Sequence, residues 1–264
     1  PINGMCAHHC PSISVGALTK SGTSGLGCFN DRYALTLDFP ETTTELTWEN
    51  MGAFLSPPAG HGGTDCYEIV IDEPQLDLTF VNTQVTTGAV FKLKSLSLDT
   101  ASAIDASGKG YAGGKGDYTA KYRGAGPGGG YGGYASHRGG GGGGHGGAGG
   151  NGGGIISYEG AGGPANDVLE TPASMGSGGG GGGNVDNPGG AGGGRALIET
   201  SESFTMLGSA FLRADGRTPS VGVQNNAAGG GGAGGTVRIE TNALNTSAES
   251  VVSARGGNGA SCTS

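Results

Sequence analysis

Residues 139–154 read GGGGGGHGGAGGNGGG, and glycine supplies 62 of the 264 residues of the chain, against a usual share of about 7%. An ordered glycine loses about 0.5–1 kcal/mol more backbone entropy than alanine, so such runs become ordered only where regular bonding offsets that loss. Glycine runs are most often flexible linkers, and that interpretation stays open here. A phosphate loop is excluded, because the chain has no GxxxxGK[ST] motif and GxGxxG has little specificity in so glycine-rich a sequence.

A packed bundle of extended segments is the structure that these runs favour. A polyproline-II chain has three residues per turn and no internal hydrogen bonds, so glycine chains in this conformation can pack closely and bond to one another. Side chains then recur at every third residue, as at His145, Ala148 and Asn151. Four runs are long enough to take part, namely 126–133, 139–154, 176–183 and 229–235.

A strand–turn–strand unit recurs around the glycine runs. Each copy begins with an alternating segment, turns through small polar residues, and ends in a short apolar segment that closes in x-Ala-x-Gly. The second and third copies share a spacing of 15 residues, from Leu197 to Leu212 and from Val237 to Val252, and the first is about one residue shorter. A recurring unit with variable insertions is typical of stacked coils, so we expect the closing alanines to be buried between coils. These alanines are Ala106, Ala214 and Ala254.

The sequence predicts an all-β fold with essentially no α-helix. Segments such as YALTLDF and YEIVIDEPQLDLTFV have strand periodicity and are rich in β-branched residues. We predict a β-solenoid or β-helix-like stack, with a sandwich of similar strands as the alternative, and an inserted polyglycine-II bundle. Three regions follow: a Cys-containing N-terminal arm at 1–30, a β-rich region at 31–106, and a glycine-rich region at 107–264 with two further strand repeats at 195–216 and 236–256.

The succession of glycine run, strand, x-Ala-x-Gly and further glycine run over residues 88–259 resembles glycine-rich secreted and cell-surface proteins of plants, algae and protists. In conformation, the glycine segments also resemble the polyglycine sandwich of phage tail-tip adhesins and the glycine-rich region of anaplastic lymphoma kinase. These resemblances imply an extracellular scaffold or adhesive role, and they carry over no catalytic residue. Residues 1–87 resemble no family.

Charge and cysteine usage bear on partners and compartment. A net charge of −8 argues against nucleic acid and anionic lipid, and no apolar run approaches the length of about 18 residues that a membrane helix needs. Because the sequence begins at Pro1, we expect a processed chain or a fragment. Four of the five cysteines fall within the first 66 residues, which favours disulfides in an oxidising compartment and leaves one thiol over. The five are Cys6, Cys10, Cys28, Cys66 and Cys262.

Two kinds of chemistry have candidate residues but weak patterns. The sequence CAHHC at residues 6–10 offers zinc ligands, but the spacing is unusual and a second ligand pair is missing, so we predict no metal and no cofactor. Parallel β-helices host polysaccharide lyases and hydrolases, which makes a carbohydrate-active enzyme an alternative. The available side chains form no recognisable cluster, and no GxSxG motif is present, so we predict no enzyme. They are Asp72, Glu73, Asp77, Asp99, Asp105, Arg213 and Arg238.

Several residues are candidates for surface functions. Asn245 begins the glycosylation sequon Asn-Thr-Ser, which predicts a surface position. Five tyrosines fall within one segment, where they either stack on sugars or pack against the edge of the glycine bundle. These are Tyr111, Tyr118, Tyr122, Tyr131 and Tyr134.

The leading hypothesis is a non-enzymatic extracellular structural protein that repeats in a filament or surface coat. Residues 1–30 have no core of their own, and Ile13, Val15 and Leu18 suit an arm that adds a strand to a neighbouring copy. The alternative is an arm folded back on its own domain and tied by Cys28 and Cys66. The second hypothesis is an adhesin that holds glycans.

Overall fold

The structure, a computed structural model, describes residues 24–29, 32–37, 42–49, 67–116, 122–133, 138–153, 160–168, 170–183, 187–219 and 227–260. These residues contain strands and no helix, and hence no helix long and apolar enough to cross a membrane. The strands are β1 (Ser24–Phe29), β2 (Arg32–Leu37), β3 (Glu45–Glu49), β4 (Tyr67–Val81), β5 (Gln84–Val85), β6 (Gly88–Leu98), β7 (Ala103–Asp105), β8 (Arg195–Met206), β9 (Phe211–Arg213), β10 (Thr236–Thr246) and β11 (Val251–Ser253).

Two sheets are built from strands that alternate along the chain. One has the order β1-β2-β4-β6-β8-β10, with β3 also paired to β4, and the other has the order β11-β9-β7-β5. Every pair is parallel except β1–β2. A long strand and the following short strand therefore form one unit, and the units β4–β5, β6–β7, β8–β9 and β10–β11 make up what we call the strand stack. For the described part of the chain, the prediction of an all-β fold is confirmed.

The core of the strand stack consists of rows of apolar side chains that run across the parallel strands. In-register pairing brings Ile71, Phe91 and Ile198 into one row, and each of them is at most 1% exposed. Leu96 and Phe204 belong to a second row of the same kind. Full burial of such a side chain stabilises a fold by about 1.5–3 kcal/mol, so these rows supply much of the stability of the strand stack.

Each long strand of the stack has a break in its register, and these breaks correct the predicted repeat. The expected equal spacing of the second and third copies is wrong, because Leu197 pairs with Arg238 and not with Val237. At the break, β8 has two residues between the last position that pairs before it and the first position that pairs after it. β10 has one residue at the same place. The first and third copies therefore have the same length, and the second is one residue longer.

The unit β4–β5 is a further copy that sequence reasoning did not count. Its long strand pairs in parallel with β6, and its short strand pairs in parallel with β7. It lacks the x-Ala-x-Gly closure and the glycine insertion, because only Thr86 and Thr87 separate β5 from β6. The periodicity of β4 alone was thus too little to identify it as a repeat.

The glycine-rich segments leave the strand stack after a short strand and return at the start of the next long strand. The exit and return points are bonded to each other, because the amide of Gly194 donates to Ala106 and the amide of Gly235 donates to Ala214, both at 2.7 Å. The segments pack together beside the strand stack. We call them the glycine bundle, which comprises 110–114, 122–133, 138–153, 160–163, 176–183, 187–193 and 227–233.

Segment 176–183 lies at the centre of the glycine bundle and is buried along its whole length. The amides of Gly176, Gly179 and Gly182 donate to segment 187–193, and the bonds to every other neighbour also recur at intervals of three residues. Their N–O distances lie between 2.8 and 3.0 Å. The segment donates to three neighbours and accepts from three, so six segments surround it. They are 111–114, 122–125, 130–133, 138–141, 187–193 and 230–233.

Glycine is needed in the centre of the bundle for space and not for an unusual backbone conformation. Only three of the described glycines have positive φ, and none of them lies within 176–183. A Cβ added at Gly178 would overlap the backbone oxygen of Ala112. On the outer side of the bundle, a Cβ added at Gly147, Gly150 or Gly153 meets nothing within 4 Å. Between residues 147 and 153, every third position therefore has room for a side chain.

Two of the three closing alanines occupy the predicted place. Ala106 and Ala214 are 0% exposed, and the amide of Ala106 donates to Arg213 of the next unit at 2.8 Å. Ala254 is exposed, so the prediction of its burial is wrong. The reason is that Ala254 follows β11, which is the last strand of its sheet in the described chain and has no further unit above it.

Candidate functional site

The two ends of the strand stack differ in how they are covered. At the N-terminal end, β2 pairs with one half of β4 and β3 pairs with the other half. Trp48 of β3 is 1% exposed and stacks on Phe80 with ring centres 5.1 Å apart. Its ring also meets Phe91 edge-on at 6.4 Å. This aromatic group closes the apolar interior, so we call this the covered end.

At the C-terminal end, the last unit has a neighbour on one side only among the described strands. β10 pairs with β8, and β11 pairs with β9. The apolar rows continue onto β10, where Ile239 pairs with Ile198 and Leu244 pairs with Phe204. Phe204 is 0% exposed, but Leu244 is 52% exposed and Val252 of β11 is 48% exposed. We call this surface, formed by β10 and β11, the open end.

A recess of about 430 Å³ lies where the glycine bundle meets the open end. Gly147 and Val168 line one part of it, and Thr236, Val237 and Ala254 line the part that belongs to the last unit. The recess is therefore continuous with the start of β10.

One ionisable pair borders this recess. Nε2 of His145 lies 3.2 Å from Oδ2 of Asp167, and both side chains are about nine-tenths buried. The carboxylate of Asp167 also accepts hydrogen bonds from the backbone amides of Val168, Ala173 and Ser174, at 2.9 to 3.1 Å. The pair therefore fastens the chain around residues 167–174 to the glycine bundle.

This pair does not form a catalytic triad with the nearby hydroxyl. Oγ1 of Thr236 lies 3.3 Å from Nε2 of His145, the same ring nitrogen that contacts Asp167. A nucleophile relay needs the hydroxyl and the carboxylate at different ring nitrogens. The hydroxyl of Thr236 instead donates to the carbonyl of Ser174 at 2.8 Å. Burial lowers the pKa of His145 below its usual value, although the charge of Asp167 acts in the opposite direction.

The acids considered for glycan cleavage are held in separate local networks. Asp77 accepts from Nζ of Lys94 at 2.8 Å and from the hydroxyl of Ser95. Burial acts to raise the pKa of Asp77, but these two bonds outweigh it and hold the pKa below its usual value. Asp99 is similar, since burial is outweighed by its bonds from the Ser102 hydroxyl and from backbone amides, and its pKa is also lowered.

Four of the other five acids and bases considered contact a residue two positions away in the sequence. Within the described residues, no group of three or more His, Cys, Asp or Glu side chains could hold a metal ion. Glu73 accepts from Gln75, Asp105 accepts from the amide of Ser107, Arg213 lies over the ring of Phe211, Arg238 pairs with Glu240, and Asp72 is opposite Lys92 in register.

The predicted surface tyrosines are only partly brought together. Tyr122 and Tyr131 belong to one segment of the glycine bundle and are 39% and 44% exposed. Tyr111 is half-buried beside the centre of the bundle, where its amide donates to Gly176. Tyr118 and Tyr134 lie outside the described residues. Two exposed rings in one segment thus remain available for a partner.

The remaining predicted site residues lie in β1, in β10 or outside the described residues. Asn245 is exposed on β10, as predicted, and its amide nitrogen lies 3.4 Å from the hydroxyl oxygen of Thr205. Residues 24–29 of the predicted arm form β1, and Cys28 lies in that strand, opposite Tyr33. The others lie outside the described residues; they are Cys6, Cys10, Cys66, Cys262, Ile13, Val15 and Leu18.

Comparison of the chain with protein-family models, with curated proteins and with solved structures finds no match. The resemblance to glycine-rich surface proteins therefore stays a prediction. Sequence reasoning did not identify the apolar surface of β10, where Ile239 is partly buried and Leu244 is exposed. Alignment of the repeated units carries the signal, because these two residues occupy positions that are buried in the preceding units.

Proposed function

We propose that this chain is a non-enzymatic extracellular structural protein that assembles with copies of itself into a filament or surface coat. The observation that carries this proposal is the contrast between the covered end and the open end of the strand stack. An uncovered strand edge with exposed apolar residues is a template for pairing with another chain. Leu244 and Val252 belong to such an edge.

We propose further that the strand stack is a β-solenoid and that the glycine bundle is a polyglycine-II structure. The recurrence of one long and one short parallel strand in each unit supports the first part. Hydrogen bonds at intervals of three residues to six neighbours of segment 176–183 support the second, because three residues per turn is the period of that conformation. A body of this kind suits a stiff building block.

The dispersed acids support a non-enzymatic role. Most enzymes that hydrolyse glycosidic bonds use two carboxyl groups that flank the bond. Asp77 and Asp99 instead accept hydrogen bonds within separate local networks. The negative net charge of the chain supports a partner other than nucleic acid. The cysteine pattern and the exposed sequon at Asn245 support an extracellular location.

Electron microscopy and mass measurement of the full chain over a range of concentrations test this proposal. We expect particles that lengthen with concentration, because each added copy presents a new open end. A parallel measurement with reductant shows whether disulfides join the copies. A monodisperse monomer at every concentration would contradict assembly as the function.

A glycan-binding module is the second candidate, and the exposure of Tyr122 and Tyr131 favours it. Aromatic rings on a rigid scaffold can stack on sugars. The guanidinium of Arg123 lies 4.6 Å from the ring centre of Tyr131, which helps to fix the ring. A glycan array tests this: binding should be lost in Tyr131→Ala and kept in Leu207→Ala, which alters an exposed residue elsewhere. Absence of binding across the array would eliminate this candidate.

A further inference from the structure

The long edge of β10 is unusually open to strand addition. Protected edge strands are short or carry inward-pointing charges, prolines or bulges that deter pairing. β10 has 11 residues, and the inward positions of its first half are Val237, Ile239 and Thr241, none of which is charged. The charged side chains of Arg238 and Glu240 pair with each other and alternate with these positions. The inward face of the first half of β10, before the register break that follows Thr241, is thus uncharged and mainly apolar.

We propose that residues 13–17 of a second copy of this chain add to β10 as a further strand. This inference rests on the proposed self-assembly and names the two surfaces that make the contact. The segment reads Ile-Ser-Val-Gly-Ala, so its apolar residues Ile13, Val15 and Ala17 alternate with small ones. The alternation places all three on one face of a strand, where they continue the rows of Val237 and Ile239.

One contact of the added strand is the same whether the strand runs parallel or antiparallel to β10. With three inward positions on each strand, the central residue of one strand faces the central residue of the other in both parallel and antiparallel arrangements. Val15 therefore faces Ile239 in either case. Ser14 and Gly16 point to the outer face, next to Arg238 and Glu240.

The added strand must come from a second copy, because the chain between residues 13–17 and β1 is too short for the strand to come from the same copy. A strand beyond β10 lies six strand spacings from β1, because the order is β1-β2-β4-β6-β8-β10. At about 4.8 Å for each spacing, this distance is about 29 Å. Ala17 is seven residues before Ser24 at the start of β1, and seven residues span at most about 25 Å. Residues 13–17 therefore cannot reach beyond β10 of their own chain.

Two full-length variants test the added strand, which we call the donor, and β10, which we call the acceptor, separately. Val15→Asp places a charge in the added strand and keeps the open end, whereas Ile239→Asp alters the open end and keeps the arm. Each variant alone should be monomeric, with association at least about 100-fold weaker than that of the unaltered chain, because a charge is forced into an apolar row. The matched control is Ser14→Asp, which adds the same charge on the outer face and should assemble as the unaltered chain does.

Mixing the two variants gives the decisive result. Val15→Asp has an intact acceptor and Ile239→Asp has an intact donor, so an equimolar mixture should form particles of two copies and no longer ones. Analytical ultracentrifugation measures this. Assembly of Val15→Asp to the same length as the unaltered chain would overturn the inference while leaving the proposed function intact. A monomeric unaltered chain would overturn both.

A peptide experiment guards against a folding defect in Ile239→Asp. A synthetic peptide of residues 11–19 should shorten assemblies of the unaltered chain, because it occupies β10 without offering a new open end. The same peptide with Val15→Asp should have no effect. Equal shortening by the two peptides, or shortening by neither, would overturn the assignment of residues 13–17 as the donor strand.

Discussion

The interior of the strand stack is filled by side chains such as Phe91 and Phe204, whereas the central segment of the glycine bundle, 176–183, contains Ser177 as its only side chain beyond glycine. In both regions extended chains bond to their neighbours through the backbone. In the strand stack, apolar side chains add the stabilisation of burial. In the bundle, the chains approach so closely that backbone atoms fill the space which side chains would occupy.

The strand stack and the glycine bundle should respond to substitutions in opposite ways. The strand stack loses stability when a side chain becomes smaller, because a cavity is left. The glycine bundle loses stability when a Cβ is added, because a neighbouring backbone oxygen already occupies that position. Both losses of stability should disappear where nothing covers the residue, namely at the open end of the strand stack and on the outer side of the bundle.

The largest effect is expected from a cavity in the strand stack. Phe204→Ala should destabilise the chain by about 3–5 kcal/mol, because the ring is 0% exposed. At this chain length, the melting temperature should fall by roughly 6–20 °C. The control is Leu244→Ala at the paired position of β10, which should cost less than about 1 kcal/mol in the monomer, because Leu244 is 52% exposed. Equal losses would mean that Leu244 is covered and that the open end does not exist.

The next effect tests the glycine bundle. Gly180→Ala should destabilise the chain by about 3 kcal/mol, because the added Cβ overlaps the backbone oxygen of Tyr131 and the chains must move apart. Gly150→Ala is the control, since its Cβ meets nothing within 4 Å, and it should be neutral or slightly stabilising. Thermal unfolding of both variants measures the difference. If Gly180→Ala is as stable as Gly150→Ala, the close packing of the bundle is wrong.

A smaller effect is expected where the strand stack is overpacked. Ala214→Leu should cost about 1–3 kcal/mol, because Ala214 is 0% exposed between two units. Ala254→Leu changes the equivalent residue of the last unit, which is exposed, and should leave the melting temperature nearly unchanged. An unchanged melting temperature in Ala214→Leu would refute the alignment of the closing alanines.

The smallest effect concerns the junction between the two regions. Burial lowers the pKa of His145 from its ordinary value of 6.5, so the unfolded chain binds the proton more tightly than the folded chain. The stability contributed by neutral His145 is thus present above that value and is lost as the pH falls below it. Unfolding measured on both sides of this value should show a steeper loss at low pH in the unaltered chain than in His145→Gln. Identical pH dependence in the two proteins would exclude a contribution from this residue.

The sequence predicted the strands better than their assembly. Alternation in β4, β6, β8 and β10 is a local property, and it identified an all-β chain. The extra residue at the break in β8 could not be predicted, because an inserted residue in one strand shows only in its pairing with the next strand. The exposure of Ala254 was missed for a similar reason. Its sequence context matches that of Ala106 and Ala214, and only its position in the sheet differs.

The candidate site was harder to predict than the fold. The open end is defined by the absence of a neighbour for β10 among the described strands, which no local pattern of residues encodes. The contact between His145 and Asp167 joins residues 22 positions apart, and the spacing of three around His145 does not extend to Asp167. The spacing of three at His145, Ala148 and Asn151 was visible, and Ala148 and Asn151 both lie on the exposed side of their segment.

Residue-resolved amide hydrogen exchange of the full chain shows whether the glycine runs are ordered structure or flexible linkers. We expect slow exchange for the amides of residues 178–183, each of which donates to a neighbouring segment. We expect the same for residues 139–144, because each of these amides also donates to a backbone oxygen, two of them to Gly150 and Gly153 further along the same segment. Gly147 and Gly150, on the outer side of the bundle, should exchange much faster. Exchange of residues 178–183 at the rate of an unstructured chain would contradict the account and make these runs flexible linkers.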